Sequence, residues 1–346
     1  MKRDTLETPD GIQLTYFDTG NNDTRANTMV MVNAPGMSSK FWLPMLGILA
    51  TRYRIVGMEY RGFPGGDVEL SESQCSIASY VDDLELVLKA TGTTQATLVS
   101  WCLGGKVMLE YYRRHPHAVR AMVGLNIFYR EIRDEARGPF SSLIKAFKER
   151  LERDPSAIGN IINLMKNIGT VPNLDFVHSV SSEDEESPAL ALYDFLDHES
   201  SFSNLAYYLI DNPVGLRNYL KLFESFRHGC YVDTIAASAV PTTLLCAERD
   251  NMAHLTDGER ILFAKNRNIA MHAIGGASHF MLIELPNRLA RMVLESVGES
   301  LAAPDKHGSD VSPSSGIASR QHVYDGGPID RMVENGPGLG IHRPHG

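Results

Sequence analysis

The sequence contains little cysteine and no excess of basic charge. Its 346 residues include four cysteines, Cys75, Cys102, Cys230 and Cys246, and no two of them have C-x-x-C spacing. A zinc ribbon, a thioredoxin motif and a disulfide framework are therefore not expected, and a reducing cytoplasm is the predicted compartment. Lys and Arg number 33 against 42 Asp and Glu, which gives a net charge of −9. Without a basic cluster, neither nucleic acid nor an anionic membrane is an expected partner.

The sequence also lacks an apolar run long enough to span a membrane, for which about 20 residues are needed. The N-terminus carries Lys2 and Arg3 with no apolar stretch behind them, so neither a signal peptide nor an anchor is expected. The four histidines after residue 300 have no ligand spacing, and we predict neither a metal site nor a cofactor. The remaining composition, with 43% hydrophobic and 22% charged residues, is typical of a globular chain with a sizeable core.

Short apolar runs alternate with amphipathic stretches up to about residue 126 and return after residue 238. This alternation predicts an α/β fold with a mainly parallel sheet and helices on both faces. Helical spacing of apolar residues over 76–89 and 286–297 predicts two of the covering helices. The predicted strands are residues 28–32, 53–58, 96–100, 121–125, 242–246 and 269–274.

The segment 127–238 has helical patterns and no strand pattern, and we predict that it is an all-helical cap inserted into a core of residues 1–126 and 239–300. Residues 301–346 are rich in Gly, Pro, Ser and Asp, which predicts a flexible C-terminal tail. The cap should cover the carboxyl edge of the sheet, where ligands bind in open α/β folds. Candidates for lining an apolar pocket beneath it are Phe140, Leu143, Phe195, Tyr207, Tyr208, Tyr219 and Phe223.

One segment between a predicted strand and a predicted helix has the pattern of a nucleophile elbow. It reads Ser100-Trp101-Cys102-Leu103-Gly104-Gly105, with small residues two positions before and two positions after the thiol. A sharp strand-to-helix turn brings the flanking positions too close for large side chains and pushes the central side chain above the helix N-terminus. The positive end of the helix dipole there favours thiolate over thiol. Cys102 is therefore the predicted nucleophile, whereas Cys75, Cys230 and Cys246 lack this context.

The order of several motifs resembles that of the α/β-hydrolase superfamily over about residues 8–297, apart from the helical insertion. The superfamily's nucleophile box is usually G-x-S-x-G. Residues 53–67, YRIVGMEYRGFPGGD, resemble its strand and loop YRVIAPDxRGxGxSD, and residues 110–126, EYYRRHPHAVRAMVGLN, resemble EYARRHPERVRALVLLN. Residues 240–250, VPTTLLCAERD, resemble VPTLLVAGERD, and residues 275–286, GGASHFMLIELP, resemble GAGHFxxxExP. The resemblance lies in the shared order of these segments.

The resemblance implies a triad in the superfamily's chain order, with Cys102 as nucleophile, Asp250 as acid and His279 as base. In these roles His279 takes the thiol proton and returns it to the leaving group or activates the acceptor. Asp250 fixes the tautomer of the imidazole.

Other ionisable residues compete for these roles. Glu248 is a second acid near the same strand end, and it should point away from the site if Asp250 points toward it, because neighbours on an extended segment alternate. His272 lies inside a predicted strand, and His254 follows Asp250 closely in the chain. We therefore predict structural roles for both of these histidines.

The implied oxyanion hole departs from the superfamily pattern. The superfamily uses the amide after the nucleophile, here that of Leu103, and a second amide from the first strand-to-helix loop, which usually begins His-Gly. Here this loop begins Asn33-Ala34, and Pro35, which has no N–H, occupies the usual donor position. Either Gly36 or Met37 donates instead, or the hole is incomplete.

A thiol nucleophile favours one kind of acyl donor. When a thiolate attacks an ordinary ester, the intermediate tends to expel the thiolate again, because thiolate is the better leaving group. With a thioester donor the two leaving groups match. We therefore predict an acyltransferase or thioesterase that passes a small-molecule acyl group, carried on coenzyme A or a carrier protein, to an amine, alcohol, thiol or water. The alternatives are a carboxylesterase or lactone hydrolase with a cysteine nucleophile, and a fold relative without catalysis.

Overall fold

The computed structural model describes residues 2–20, 27–62, 68–132, 139–168, 212–250 and 252–298. Eight strands form one sheet: β1 Lys2–Glu7, β2 Gln13–Asp18, β3 Thr28–Val32, β4 Arg54–Met58, β5 Ala96–Trp101, β6 Val119–Leu125, β7 Thr242–Ala247 and β8 Ile269–Ile274. The strand order is β1-β2-β4-β3-β5-β6-β7-β8, with β3 to β8 parallel and β1 and β2 antiparallel at one edge. This confirms the predicted fold class, and the six predicted strands lie within two residues of their predicted ends.

Helices cover both faces of the sheet. Side chains such as Val30 and Leu98 pack with the helices Ile77–Ala90 and Gly104–Arg114 on one face. Their neighbours Met31 and Val99 pack with the helices Leu43–Leu49 and Pro286–Ser296 on the other face, as the two-residue period of a strand requires. No described helix is long and apolar enough to cross a lipid bilayer. The helices of the described ranges are α1 Leu43–Leu49, α2 Ile77–Ala90, α3 Gly104–Arg114, α4 Pro139–Arg153, α5 Ile158–Ile168, α6 Pro213–Arg227, α7 Val232–Ala236, α8 Asp257–Phe263, α9 Met281–Glu284 and α10 Pro286–Ser296.

The sequence analysis missed the antiparallel pair β1 and β2. Their register runs from Lys2 opposite Asp18 to Glu7 opposite Gln13. No residue of β1 is fully buried, so the strand has no alternating apolar face that a sequence pattern could reveal. Charged side chains on such an edge strand oppose pairing with another chain.

The described parts of the segment 127–238 contain α4 to α7 and no strand. Helix α6 is capped by Asn212, whose side chain accepts a hydrogen bond from the Gly215 amide at 2.8 Å, and Pro213 occupies its first turn. The division into core, cap and tail stays a prediction. The side chain of Phe140, the residues Phe195, Tyr207 and Tyr208, and the tail 301–346 lie outside the described residues.

Candidate active site

Cys102 lies in the sharp turn between β5 and α3, and it is half-buried. Its φ is 55°, in the left-handed region that residues other than glycine rarely adopt. The Cys102 amide donates to the Leu125 carbonyl at 3.2 Å, and the Cys102 carbonyl accepts from the Gly105 and Phe128 amides at 3.1 and 2.9 Å. These hydrogen bonds hold the strained backbone of the turn in place.

Small residues beside Cys102 allow the turn to pack closely on the end of β3. A β-carbon built on Gly104 would lie 2.2 Å from the carbonyl oxygen of Asn33 and 2.7 Å from that of Val32, well inside van der Waals contact. Ser100, two residues before the thiol, is fully buried. The turn therefore has the close approach that the elbow pattern requires.

Asp250 and His279 form a buried hydrogen-bonded pair after the ends of β7 and β8. Asp250 Oδ2 lies 2.8 Å from His279 Nδ1, and Asp250 Oδ1 accepts the Met252 and Ala253 amides at 2.7 and 3.0 Å. Burial alone would raise the pKa of Asp250, but the hydrogen bond and charge of His279 and the two amides hold this pKa below its usual value. Asp250 is therefore a carboxylate that orients the imidazole of His279.

His279 interacts with Cys102 as well as with Asp250. Burial lowers the pKa of the imidazole, but the Coulombic attraction of Cys102 and the hydrogen bond to Asp250 outweigh burial and raise this pKa to about 10. Nε2 is buried and has no hydrogen-bond partner of ordinary geometry among the described residues. The ring is thus held at Nδ1, and Nε2 is the atom that can exchange a proton with the thiol.

Two side chains from neighbouring strand ends hold the loop that carries His279. Trp101 Nε1 donates to the His279 carbonyl at 3.0 Å. Asn126 Nδ2 donates to the Ser278 and His279 carbonyls at 3.1 and 3.3 Å, and Asn126 Oδ1 accepts the Ala247 amide at 2.8 Å. The sequence analysis singled out neither residue, although Asn126 is a polar residue directly after an apolar strand. Asn126, whose φ is 46°, joins the ends of β6 and β7 to the base loop.

The competing residues lie apart from this buried pair. Glu248 is exposed, and its carboxylate accepts the Gly276 amide at 3.4 Å, whereas Asp250 is buried. His254 and His272 are both exposed. Glu248 and Asp250 therefore lie in opposite environments. Strand alternation does not explain this difference, because side chains two positions apart face the same side of a strand and β7 ends at Ala247.

Asn33 fixes the loop after β3 against the core. Its Nδ2 donates to the Met58 carbonyl at 3.1 Å, its Oδ1 accepts from the Trp42 indole, and its carbonyl accepts the Tyr60 hydroxyl at 2.5 Å. The buried Tyr60 is near Cys102. Burial, which has the larger effect, and the thiol of Cys102 both raise the pKa of the Tyr60 hydroxyl. The loop therefore lies beside Cys102, as expected for a source of an oxyanion donor.

Residues 34–37 of this loop form a tight turn. The Met37 amide donates to the Ala34 carbonyl at 3.1 Å. Pro35 followed by Gly36 with a φ of 84° is the combination typical of a type II turn. The Met37 amide is thus used within the turn. No described backbone carbonyl accepts from the Gly36 amide or from the Leu103 amide, which favours Gly36 over Met37 as the second oxyanion donor.

Helix α6 contacts the same turn. A β-carbon built on Gly36 would lie 2.4 Å from Cε2 of Tyr219. Tyr219 and Phe223 are buried on α6 with ring centroids 6.3 Å apart, and Leu143 is half-buried on α4. Tyr219, one of the residues predicted to line the pocket, therefore lies against the candidate oxyanion turn.

The groups that the site offers are a thiol, an imidazole, a carboxylate and backbone amides. This set suits acyl transfer through a covalent intermediate. Within the described ranges, no group of three or more His, Cys, Asp or Glu side chains is arranged to hold a metal ion.

Comparisons with known proteins agree with the geometry. A sequence model of the family described as "alpha/beta hydrolase fold" matches residues 27–286. "Putative carbamate hydrolase RutD" from Yersinia enterocolitica is 30% identical over 112 residues, which are 32% of this chain and 40% of that protein. "1-acylglycerol-3-phosphate O-acyltransferase" from Arabidopsis thaliana is 25% identical over 130 residues, which are 33% of this chain and 31% of that protein. The match thus spans less than half the length of either relative.

A solved structure of a hydrolase from Pseudomonas aeruginosa has the same fold. It matches with a TM-score of 0.62 at 18% sequence identity, over 86% of this chain and 99% of that one.

Proposed function

Since this chain belongs to the α/β-hydrolase fold family, we propose that it is an enzyme of the hydrolase or acyltransferase type that transfers acyl groups through a thioester formed on Cys102. The observation that carries the proposal is the buried His279–Asp250 pair, whose imidazole interacts with the Cys102 thiol in the strained turn. The donor is a thioester, carried on coenzyme A or on a carrier protein. The acceptor is an amine, an alcohol, a thiol or water.

In the first half-reaction the thiol proton lies on His279 Nε2, as the raised pKa of the imidazole favours, and the sulfur of Cys102 attacks the carbonyl carbon of the donor. The carbonyl oxygen becomes an oxyanion that the amides of Leu103 and Gly36 stabilise. The intermediate collapses by expelling the donor's thiolate, which receives the proton from His279. Asp250 remains ionised throughout and stabilises the imidazolium.

In the second half-reaction the acceptor gives its proton to His279 Nε2 and attacks the acyl carbon. The Cys102 thiolate is expelled beside the protonated His279, so the enzyme returns to its starting state. His279 is only 5% exposed. A base so well shielded from water favours an acceptor that binds in the site over hydrolysis.

Intact-protein mass spectrometry with a panel of acyl thioesters tests the proposal. We expect the mass of the wild-type enzyme to rise by one acyl group, and that of Cys102→Ala to stay unchanged. Cys230→Ala removes an exposed cysteine outside the site and is the matched control that should still be acylated. Unchanged turnover in Cys102→Ala would exclude Cys102 as the nucleophile.

The same assay separates transfer from hydrolysis. Acylation by matched oxygen esters as fast as by thioesters would favour the carboxylesterase or lactone hydrolase. Cys102→Ser should lose more transfer than hydrolysis, because a hydroxyl needs stronger base assistance and a tighter oxyanion hole than a thiol. A Cys102→Ser variant with an unchanged ratio of acylated acceptor to free acid would contradict the transferase preference.

A further inference from the structure

The turn that carries Gly36 is packed against the insertion as well as the core. The ring of Tyr219, which is 5% exposed, fills the space where a side chain of residue 36 would lie. A β-carbon built on Gly36 would lie 2.4, 3.0 and 3.4 Å from Cε2, Cδ2 and Cζ of Tyr219. The edge of the ring therefore touches the backbone of the turn at the residue whose φ is 84°.

Helix α6, which carries Tyr219, is fixed at its middle. The side chain of Asn218 is fully buried, donates to the Val68 carbonyl at 2.9 Å and accepts the Leu70 amide at 2.9 Å. Lys221, one turn further along, donates to the Leu70 carbonyl at 2.7 Å and to the Glu69 carboxylate at 2.9 Å. These contacts prevent α6 from rotating about its axis or sliding along it.

The C-terminal end of α6 is fixed to the nucleophile helix α3. Lys106 on α3 is fully buried, and its Nζ lies 3.4, 2.9 and 3.0 Å from the carbonyl oxygens of Arg227, His228 and Gly229. In its protonated form Lys106 also complements the dipole of α6. Because α3 begins just after Cys102, the same helix supports the nucleophile and anchors the segment that carries Tyr219.

From these contacts we infer that Tyr219 is a positioning residue, which holds the Pro35-Gly36 turn in the conformation that directs the Gly36 amide at the oxyanion. The inference rests on the proposed function, since it requires acylation of Cys102 through a tetrahedral intermediate. The donor then comes from a core loop, as in the superfamily, but a helix of the insertion holds that loop in position. Removing the ring edge then lets the turn relax, and a displaced donor stabilises the oxyanion less.

Two reactions of the same thiol test this role. Acylation of Cys102 by a thioester passes through an oxyanion. Alkylation by iodoacetamide forms the S–C bond as iodide leaves, in one step without an oxyanion. Both rates depend on thiolate content and access, so the ratio of acylation to alkylation at Cys102, measured by peptide mass spectrometry, isolates oxyanion stabilisation.

We expect Tyr219→Ala to lower this ratio by about tenfold to a hundredfold. Tyr219→Phe keeps the ring edge and should keep the ratio within about twofold of the wild type, since the hydroxyl takes no part in the contact. Leu222→Ala removes a side chain that is 1% exposed on the same helix and does not reach Gly36 closely, so it should leave the ratio unchanged. Tyr219→Leu fills the core without an aromatic edge and provides a second variant that should also lower it.

The outcomes separate the two proposals. An unchanged ratio in Tyr219→Ala and Tyr219→Leu, with normal acylation of the wild type, overturns the role of Tyr219 alone. An equal fall in Leu222→Ala overturns it as well, because the effect then belongs to the whole helix. A wild-type enzyme that no thioester acylates at Cys102 overturns the proposed function itself.

Discussion

The two sides of the active site are held by different parts of the chain. On the base side, the loop of His279 is bound by Trp101 and Asn126, which both lie at strand ends of the core sheet. On the oxyanion side, the turn of Gly36 contacts Tyr219 from the segment inserted between β6 and β7. The proposed triad has the superfamily's chain order, and the proposed oxyanion turn departs from the superfamily's pattern. The departure occurs where the insertion touches the core.

The two sides also differ in charge. The base side contains the carboxylate of Asp250 and an imidazole whose pKa is raised to about 10. The oxyanion side consists of backbone amides and the uncharged ring of Tyr219. A change of pH should therefore act on proton transfer, and a change in the insertion should act on transition-state stabilisation. The following variants separate these effects.

Gly36→Ala should give the largest effect and act on the oxyanion side alone. The β-carbon of an alanine there would clash with the ring of Tyr219. Alanine also disfavours the φ of 84° at this position, so the turn must move. We expect acylation of Cys102 to slow by about a hundredfold to a thousandfold, the range for loss of one oxyanion donor. Stopped-flow acylation measures this loss, and iodoacetamide alkylation of the same variant should stay at the wild-type rate. A parallel loss of alkylation would mean that the turn supports the thiol instead.

Asn126→Ala should act on the base side. It removes two hydrogen bonds to the loop of His279 and one to the end of β7, and it places alanine at a φ of 46°. We expect acylation and alkylation to fall together, by about tenfold to a hundredfold, because a misplaced imidazole activates the thiol less. Asn126→Gly, which removes the backbone strain, is the control for conformational effects. A fall in acylation alone would contradict the separation of the two sides.

Lys106→Met should have the smallest effect on chemistry and act on the anchor of α6. Burial lowers the pKa of Lys106 to about 7, and nearby Cys230 and Glu131 oppose this only in part. The unfolded chain keeps the ordinary lysine value of 10.5, so above pH 7 it binds more protons than the folded enzyme. The free energy of unfolding of the wild type should therefore rise with pH relative to Lys106→Met, by about 1 kcal/mol for each pH unit between 7 and 8.5.

Urea unfolding at several pH values measures this difference, with exposed Lys89→Met as the matched control. We expect Lys106→Met to leave alkylation of Cys102 close to the wild-type rate, because the base side does not use the anchor. A pH-independent difference in stability would show that Lys106 keeps its charge in the folded enzyme.

The central strands could be predicted from the sequence for a physical reason, and the structure brings two of the candidate site residues, Asp250 and His279, together. Parallel strands covered on both faces are almost continuously apolar, and the elbow requires small residues at fixed distances from Cys102. The contacts of Trp101 and Asn126 with the base loop could not be predicted, since they join residues that lie 178 and 153 positions apart. The buried Lys106 was equally hidden, because its three acceptors are backbone carbonyls that leave no mark in the sequence. The choice between Gly36 and Met37 depended on one hydrogen bond within a turn.

The hydrogen bonds of Asn218 have a consequence for the order in which the protein is made. They join α6 to residues 148 and 150 positions earlier in the chain, and contacts this distant form late in folding. A nascent chain that has emerged from the ribosome only as far as residue 212 contains Cys102 but neither α6 nor His279. Under the proposed function, acylation of Cys102 therefore begins only after residue 279 has emerged from the ribosome.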